Sequence, residues 1–401
     1  MKSKLSDICF YAKGKVNVSG LTDADYISTE NMLSNKGGIT TASSLPSTIQ
    51  TQAYKKNDVL VSNIRPYFKK IWFANFDGGC SNDVLVFRAK EDTDARFLYY
   101  VLADDAFFDY STATSKGTKM PRGDKTAIMQ YEVPHFDVPI QKKIAGILAD
   151  IDDKIALNSN INENLEQQAK TLFKSWFVDF EPFNGIMPSD WEIVPLEKIA
   201  DFQNGYAFKS KELLNEPSPD CYQVFKQGHI ARGGGFIPDG TKSWYPKSLA
   251  SKLEKFVLKK GDILMAMTDM KDNVAILGNT AIMPLDNEYI VNQRVGHLRA
   301  NGYKGVTYPF IYLLTNSTDF LVDLRSRANS GVQVNLSSSE IKASQTILPS
   351  EEINNAFSEI TLPMFEIIIN NQLENQRLAQ LRDALLPKLM SDELDVSDIE
   401  I

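Results

Sequence analysis

Two long amphipathic segments dominate the pattern of hydrophobic and polar positions along the chain. In the first, at about 140–178, apolar residues recur at alternating spacings of four and three from Ile144 to Trp176. A second segment, at about 353–391, repeats this pattern 213 residues later. The spacing therefore predicts two long helices, each with one apolar seam.

Both predicted helices carry two asparagines at the centre of the seam, where apolar residues would be expected. Asn158 and Asn162 in the first helix correspond to Asn371 and Asn375 in the second. Matched buried asparagines would fix the register of two paired helices, because a slipped alignment sets an amide against an apolar side chain. Both parallel and antiparallel pairing of the two helices would place asparagine opposite asparagine. The alternative is a helix-breaking loop at "NSNINEN", since Asn has a low helix propensity.

The segments that precede the two helices also repeat, more loosely. "YKKNDVLVSN" (54–63) resembles "LKKGDILMAM" (258–267), and "FLYYVL" resembles "FIYLLT". Short β-rich runs alternate with helical stretches such as "ARFLYYVLADDAFFDY", and a short strand ending at Pro139 or Pro349 precedes each long helix. The pattern predicts two α+β domains in tandem, joined by a Pro- and Gly-containing linker at 180–191.

Composition is that of an ordinary two-domain protein. The chain has 401 residues and a net charge of −8, and it contains neither an apolar run of membrane-spanning length nor a signal peptide. Cys9, Cys80 and Cys221 are widely spaced, which predicts reduced thiols and a cytoplasmic protein. The acidity is concentrated in 350–401, with 3 basic and 11 acidic groups, so the net charge says little about partners of the larger domains.

No catalytic, cofactor or metal site is evident in the chain. His135, His229 and His297 are scattered, and each is interpreted as structural or as a surface residue. The glycine-rich "HIARGGGF" lacks the spacing of a phosphate-binding loop and is interpreted as a turn. Asp58 and Asp262 occupy equivalent positions before apolar strands and are interpreted as turn residues.

The remaining polar pattern favours DNA binding. "SNIRPYFKKIWF" interleaves basic, amide and aromatic side chains, and a loop rich in Gly, Ser and basic residues recurs before each long helix. Such groups suit phosphate contacts and base-edge hydrogen bonds, and glycine permits close backbone approach. The candidate DNA-binding residues are Asn63, Arg65, Tyr67, Lys69, Lys70, Lys116, Gly117, Lys119, Arg122, Lys125, Arg232, Gln293, Arg294, Arg325, Arg327, Asn329, Gly331, Gln333 and Asn335.

These stretches resemble a known family. "VPIQKKIAGILADIDDKIALNSNINENLEQQAKTLFKSWFVDFEP" is similar to the central conserved region of the specificity subunit of type I restriction–modification enzymes. "DVLVSNIRPYFKKI", "VNQRV" and the Ser/Gly loop before "ILPSEEI" resemble that family's target-recognition domains. The first domain differs from the second in beginning at "KLSDI", without the Trp-led segment "DWEIVPLEKI".

The resemblance implies an α+β chain with two target-recognition domains, each followed by a long helix, and an antiparallel coiled-coil spacer formed by the two helices. The implied segments are recognition domain 1 at 1–137, the central helix at 138–180, a linker at 181–190, recognition domain 2 at 191–349, the distal helix at 350–390 and an acidic tail at 391–401.

The resemblance further implies a non-catalytic subunit that reads a bipartite, asymmetric target on double-stranded DNA. It would dock two methyltransferase subunits and the restriction and translocase subunits. S-adenosylmethionine and ATP would bind to those partners and not to this chain. Two alternatives remain from other classes: a single-chain restriction–modification enzyme with an unrecognised active site, and a coiled-coil scaffold whose domains bind protein.

Overall fold

The computed structural model describes residues 2–270, 274–330, 333–397 and 399, and divides the chain into two compact units. Unit 1 comprises 1–157 together with 375–401, and unit 2 comprises 158–374. Each unit therefore contains one globular region and a segment of both long helices.

Unit 1 is built on two four-stranded sheets with short helices. Its strands are β1 Lys2–Lys4, β2 Cys9–Tyr11, β3 Lys15–Asn17, β4 Tyr26–Ile27, β5 Gln50–Tyr54, β6 Val59–Ser62, β7 Ile71–Phe73, β8 Gly78–Cys80, β9 Val84–Ala89 and β10 Glu132–Pro134. Its helices are α1 Leu5–Ile8, α2 Ala95–Ala103, α3 Asp105–Ala113 and α4 Lys125–Ile128. One sheet has the antiparallel order β2-β9-β6-β7, the other has the order β3-β5-β8-β4, and β1 pairs with β10.

Unit 2 repeats this plan. Its strands are β11 Glu192–Pro195, β12 Ala200–Asn204, β13 Cys221–Phe225, β14 Trp244–Pro246, β15 Ile263–Ala266, β16 Thr268–Met270, β17 Thr280–Ile282, β18 Tyr289–Val291, β19 Val295–Ala300, β20 Asn329–Ser330, β21 Gln333–Asn335 and β22 Gln345–Leu348. Its short helices are α5 Tyr308–Thr315, α6 Thr318–Ser326 and α7 Ser338–Ala343. The sheet β12-β19-β15-β17 corresponds to β2-β9-β6-β7, and the pair β11–β22 corresponds to β1–β10.

One inner strand of the sheet β2-β9-β6-β7, and the equivalent inner strand of β12-β19-β15-β17, is completely buried. Every residue of β6 and of β15 is buried, which explains why both strands are almost continuously apolar. The turn before each strand is closed by the aspartate at its start. Asp58 Oδ2 accepts from the Lys55 amide at 2.7 Å, and Asp262 Oδ2 accepts from the Lys259 amide at 2.7 Å. The interpretation of both aspartates as turn residues is confirmed.

The two long helices are continuous. The central helix runs over Val138–Phe177 and the distal helix over Glu351–Met390, 40 residues each. The predicted helices are therefore confirmed, and the alternative of a loop at "NSNINEN" is wrong. Pro139 does not end the preceding strand as predicted: β10 ends at Pro134, and Pro139 lies in the first helical turn. Proline suits that turn because its missing N–H would have no helical partner there.

Within unit 2, the segments of the two long helices contact each other through the central asparagines. Asn371 Nδ2 donates to Asn162 Oδ1 at 2.9 Å, as the asparagine match predicts. Asn158 Nδ2 donates to Glu374 Oε2 at 2.6 Å, a carboxylate partner that the match does not include. As residue numbers rise along one segment, they fall along the other, so the two segments run antiparallel.

Within unit 1, the two helix segments are joined by polar contacts of their own. Asn375 Nδ2 donates to the Ile155 carbonyl at 3.4 Å, and Arg382 Nη1 lies 2.8 Å from Asp152 Oδ1. Here too the paired residues run in opposite directions.

Each unit buries the apolar side of its helix segments in its own core. In unit 1, Ile144 and Leu148 of the central helix and Leu386 of the distal helix join the cluster around Phe97 and Phe107. In unit 2, Phe173, Phe177 and Phe357 pack with Phe310 of α5, and the rings of Phe177 and Phe357 are 4.9 Å apart. The long helices are thus parts of both hydrophobic cores.

Candidate nucleic-acid interface

In unit 1, the backbone of the chain leaving β6 bonds to the basic loop that follows α3. The Arg65 amide donates to the Pro121 carbonyl at 2.8 Å, and the Gly123 amide donates to the Asn63 carbonyl at 3.1 Å. Ile64 and Arg122 form an antiparallel bridge between these contacts. Two stretches that are separate in sequence, and that both contain candidate residues, therefore form one surface.

The basic loop is itself a small hairpin. The amides of Lys116 and Arg122 each donate to the other residue's carbonyl at 2.9 Å. Gly117 has φ +98°, a left-handed conformation that favours glycine, and Lys119 is exposed near the tip. Lys125 is exposed at the start of α4. The hairpin presents its cations on a defined backbone.

Two ion pairs hold cations of this hairpin. Lys116 Nζ lies 2.5 Å from Asp124 Oδ2, and Arg122 Nη2 lies 3.1 Å from Asp83 Oδ1. The hydrogen bond from Lys116 contributes most to lowering the pKa of Asp124, and the Ala127 and Thr126 amides add to the effect. The carboxylates therefore orient the basic side chains and neutralise part of their charge.

The turn after Asn63 presents two aromatic rings. Arg65 and Lys69 have left-handed backbones, with φ +50° and +51°, and flank a tight turn that exposes Tyr67 and Phe68. The Arg65 guanidinium and the Lys70 ammonium each lie 6.0 Å from the centre of the Phe68 ring.

Two candidates beside this turn, Asn63 and Lys70, are not fully exposed. Lys70 Nζ also donates to the Thr29 carbonyl at 2.6 Å, and burial lowers the pKa of Lys70. The Asn63 side chain is only 7% exposed, so it lies beneath this surface.

A third loop joins the same surface, although sequence reasoning did not single it out. The Asn35 amide donates to the Phe68 carbonyl and the Lys36 amide to the Lys69 carbonyl, both at 2.8 Å. Lys36 and Lys69 also share Asp105, each at 2.9 Å. The stretch "SNKGG" combines amide, lysine and glycine residues like the other loops, and this composition was the signal available.

Unit 2 contains the same arrangement at the equivalent place. Thr268, which follows β15, pairs with Asn335, and Asn335 pairs with Asn329. These three residues correspond in the sequence repeat to Ile64, Arg122 and Lys116, which are joined in the same order. The predicted recurrence of the loop in both copies is therefore confirmed in geometry. Gly331 lies outside the described residues.

The side chains on this second hairpin differ in chemistry from those on the first. Asn329, Gln333 and Asn335 are exposed, and Gln333 pairs through its backbone with Met270. Neutral amides thus stand where the first hairpin carries Lys116 and Arg122. This hairpin offers paired hydrogen-bond donors and acceptors in place of charge.

The two arginines of α6 and its C-cap are held by the protein itself. Arg325 Nε donates to the Leu277 carbonyl at 2.8 Å, and its Nη2 lies 3.4 Å from Asn279 Oδ1. Arg327 forms an ion pair with Asp323, four residues earlier. Arg325 therefore anchors the segment beside the hairpin, and a contact of either arginine with DNA stays a prediction.

The remaining candidates of unit 2 lie in two turns. Gln293 and Arg294 are exposed in a turn closed by the bond from the Val295 amide to the Asn292 carbonyl at 2.9 Å. Arg232 is exposed in "HIARGGGF", where Ile230 and Phe236 form an antiparallel bridge. The interpretation of this glycine-rich stretch as a turn is confirmed.

The turn in unit 1 that matches Gln293 and Arg294 was missed. The Val84 amide donates to the Ser81 carbonyl at 3.0 Å, so Asn82 and Asp83 occupy the equivalent positions. Asn82 lines a groove of about 360 Å³ together with Lys13, Lys15, Gln50 and Gln52, among other residues. The internal sequence repeat indicates this turn, since it aligns "SNDV" with "NQRV".

The positions of the three histidines agree with their interpretation as structural or surface residues. His229 is fully buried and His297 is 3% exposed, whereas His135 is on the surface near Ser3. Burial lowers the pKa of His229. Among the described residues, no group of three His, Cys, Asp or Glu side chains is placed to hold a metal ion. The helices of the described segments include none that is both long and apolar enough to cross a membrane.

Comparison with known proteins identifies the class to which this fold and surface belong. Residues 1–167 and 188–382 match the family described as the type I restriction modification DNA specificity domain, once in each half. The chain belongs to this family.

Two relatives and a solved structure match over most of the chain. The HindI specificity subunit of Haemophilus influenzae is 25% identical, over 97% of this chain and 98% of its own length. The MjaIX specificity subunit of Methanocaldococcus jannaschii is 26% identical, over 77% and 71%. The crystal structure of a type I restriction–modification S subunit from M. genitalium shares the fold, with a TM-score of 0.62 and 17% identity over 97% of this chain and 96% of that one.

Proposed function

We propose that this chain is the non-catalytic specificity subunit of a type I restriction–modification complex and reads a bipartite, asymmetric sequence on double-stranded DNA. The observation that carries the proposal is the repeated hairpin. Each unit presents a hairpin paired with the chain that leaves β6 or β15, and the two hairpins carry different side chains. Two similar scaffolds with different surfaces suit a target whose two halves differ. The recognition domains would occupy 1–137 and 191–349.

The two long helices would form an antiparallel coiled-coil spacer between the recognition domains. A helix of 40 residues is about 60 Å long at 1.5 Å per residue. One turn of DNA is about 34–36 Å, so the spacer is long enough to place two half-sites more than one turn apart. We further propose that two methyltransferase subunits and the restriction subunits dock on this chain, and that S-adenosylmethionine and ATP bind to them.

The candidate residues divide by chemistry into two roles. The exposed ammonium groups of Lys119 and Lys125 suit phosphate oxygens, and phosphate contacts position a protein without specifying sequence. The exposed amides of Gln333 and Asn335 suit base edges, where Asn and Gln can form paired hydrogen bonds with adenine. Domain 1 therefore has more phosphate-type groups on its hairpin, and domain 2 has more base-reading groups.

The division is tested on the complex of this chain with its methyltransferase subunit. Lys119→Ala is expected to weaken binding to all duplexes alike and to reduce the slope of log K against log salt by about one unit. Asn335→Ala is expected to lower discrimination at one position of one half-site by about 1–3 kcal/mol while leaving the slope unchanged. Lys252→Ala, an exposed lysine outside these loops, is the matched control.

Two outcomes would contradict the proposal. If Lys119→Ala and Asn335→Ala cause the same uniform loss, the division into positioning and reading residues is wrong. If the purified chain alone transfers methyl groups to DNA or cleaves it, the non-catalytic assignment is wrong.

A further inference from the structure

In unit 1, the junction between the two long helices is an ion pair with a third polar partner. Arg382 Nη1 of the distal helix lies 2.8 Å from Asp152 Oδ1 of the central helix. Tyr100 of α2 donates its hydroxyl to Asp152 Oδ2 at 2.8 Å. The Arg382 and Asp152 side chains are 22% and 27% exposed, so most of this pair is withdrawn from solvent.

In unit 2, the corresponding positions of the sequence repeat are apolar. Ala169 stands in the place of Arg382, Phe365 in the place of Asp152 and Leu313 in the place of Tyr100. Ala169 is fully buried, Phe365 is 1% exposed and Leu313 is 3% exposed, and all three belong to one hydrophobic cluster. The helix–helix contact at these positions is therefore charged in unit 1 and apolar in unit 2.

This difference matters when a half of the chain meets a copy of itself. Pairing two first helices would set the Asp152 carboxylate of each copy against Ala169 of the other. Pairing two distal helices would set the Arg382 guanidinium of each copy against Phe365. In both cases a largely buried charge loses its partner on the facing helix. Among the described residues, Arg382 keeps only its neighbour Asp383, at 2.9 Å, and Asp152 keeps only the Tyr100 hydroxyl. Loss of one charged partner is far more costly than replacing the whole pair by apolar groups.

We propose that the Asp152–Arg382 pair and its apolar counterpart, Phe365 with Ala169, form a pairing code that directs each half of the chain to the other half and away from a second copy of itself. The central asparagines cannot supply this selectivity, because Asn158 and Asn162 have counterparts at Asn371 and Asn375. The asparagines set the register of helix pairing, and the charged pair determines which helix pairs with which. A chain that excludes like-with-like pairing keeps two different recognition surfaces in each molecule.

The test replaces the charged pair of unit 1 by apolar residues in the full-length chain. Tyr100→Leu, Asp152→Phe and Arg382→Ala together transplant the residues of unit 2 into unit 1, so that like and unlike pairs become chemically equal at these positions. Ile161→Cys supplies the readout, because residue 161 lies beside residue 160, the midpoint of the antiparallel match between Asn158 and Asn162, and its counterpart Glu374 contacts Asn158 from the edge of the seam. In an antiparallel pair of two first helices it therefore lies close to its own copy. Ile161 is 38% exposed, whereas the native Cys9, Cys80 and Cys221 are buried.

Chains carrying Ile161→Cys are unfolded in urea, refolded at micromolar concentration and treated with a short thiol crosslinker. With the triple replacement we expect at least about a tenfold rise in crosslinked dimer over Ile161→Cys alone, since removing one partner of a buried pair costs more than the 1.4 kcal/mol that a factor of ten represents. Arg382→Lys, which keeps the charge pair, should remain near the baseline. Arg88→Ala, which weakens unit 1 away from the helices, should also remain there.

The controls separate pairing identity from simple loss of stability. A rise with Arg88→Ala equal to that of the triple variant would show that any weakening of unit 1 permits like pairing, and would overturn the proposal. No rise in the triple variant, with native-like circular dichroism, would overturn it as well. The inference rests on contacts within each unit and not on DNA binding, so its failure would leave the proposed function intact.

Discussion

The arginine partners of the two turn aspartates provide an internal comparison of buried ion pairs. In unit 1, Arg88 Nε and Nη2 each donate to the Asp58 carboxylate at 2.7 Å. The Asp58 side chain is 2% exposed, and its other hydrogen bond comes from the Lys55 amide. Arg88→Ala would leave a buried carboxylate with one backbone donor. Loss of one partner of a buried pair costs about 3–5 kcal/mol, and the 32% exposure of Arg88 places this case near the lower end.

The equivalent carboxylate in unit 2 has an additional neighbour. Arg299 binds Asp262 at 2.6 and 2.7 Å, and His297 Nε2 lies 2.9 Å from Asp262 Oδ2. Position 297 corresponds to Val86 in unit 1, which offers no polar group. Arg299→Ala should therefore cost less than Arg88→Ala, about 1–2 kcal/mol.

The assay must report on each unit separately, because a two-unit chain need not unfold in one step. Amide hydrogen exchange of β6 and β9 reports on unit 1, and exchange of β15 and β19 reports on unit 2. Arg88→Ala should speed exchange in the first pair of strands more than Arg299→Ala does in the second. Arg299→Ala combined with His297→Val should destabilise unit 2 by as much as Arg88→Ala destabilises unit 1. Equal effects of the two single variants would refute the role given to His297.

The remaining predictions concern the helix amides and acid stability. Asn162→Leu together with Asn371→Leu should leave the free energy of unfolding unchanged or raise it, because both members of a partly buried amide pair are replaced. Asn158→Leu alone should cost about 1–2 kcal/mol, because Glu374 loses a donor. Urea unfolding compares the variants, and an equal loss in both would contradict the prediction. Burial raises the pKa of Asp262, but hydrogen bonds from its partners outweigh burial and lower the pKa below 3.8. Its stabilisation is therefore present above that pH and lost as the pH falls below it, so Asp262→Asn should flatten the acid limb of the stability curve, and an unchanged limb would refute this.

The sequence repeat predicted the parts of the fold that depend on local pattern. The continuous helices followed from apolar spacing on both sides of Asn158 and Asn162, despite the low helix propensity of asparagine. The recurrence of the basic loop placed the hairpins of both units correctly, because each hairpin follows its sheet at a fixed point in the chain.

Other features could not be read from the sequence because tertiary contacts create them. Glu374 faces Asn158, although the asparagine match pairs amides only with amides. Lys36 reaches the candidate surface through backbone bonds to a turn more than thirty residues away, and no periodicity reports such a contact. Arg325 looked like a free cation, but carbonyl and amide oxygens of neighbouring loops hold it in place.

The carboxylates within the candidate interface of unit 1 bear on how a chain with a net charge of −8 would bind DNA. Asp105 holds Lys36 and Lys69, Asp124 holds Lys116, and Asp83 holds Arg122. These ion pairs reduce the positive potential that drives sequence-independent attraction to phosphates. They also fix long side chains before DNA arrives, which lowers the entropy lost on binding. Such a surface has a lower sequence-independent affinity for DNA, but its side chains stay oriented. This combination raises the ratio of specific to non-specific binding.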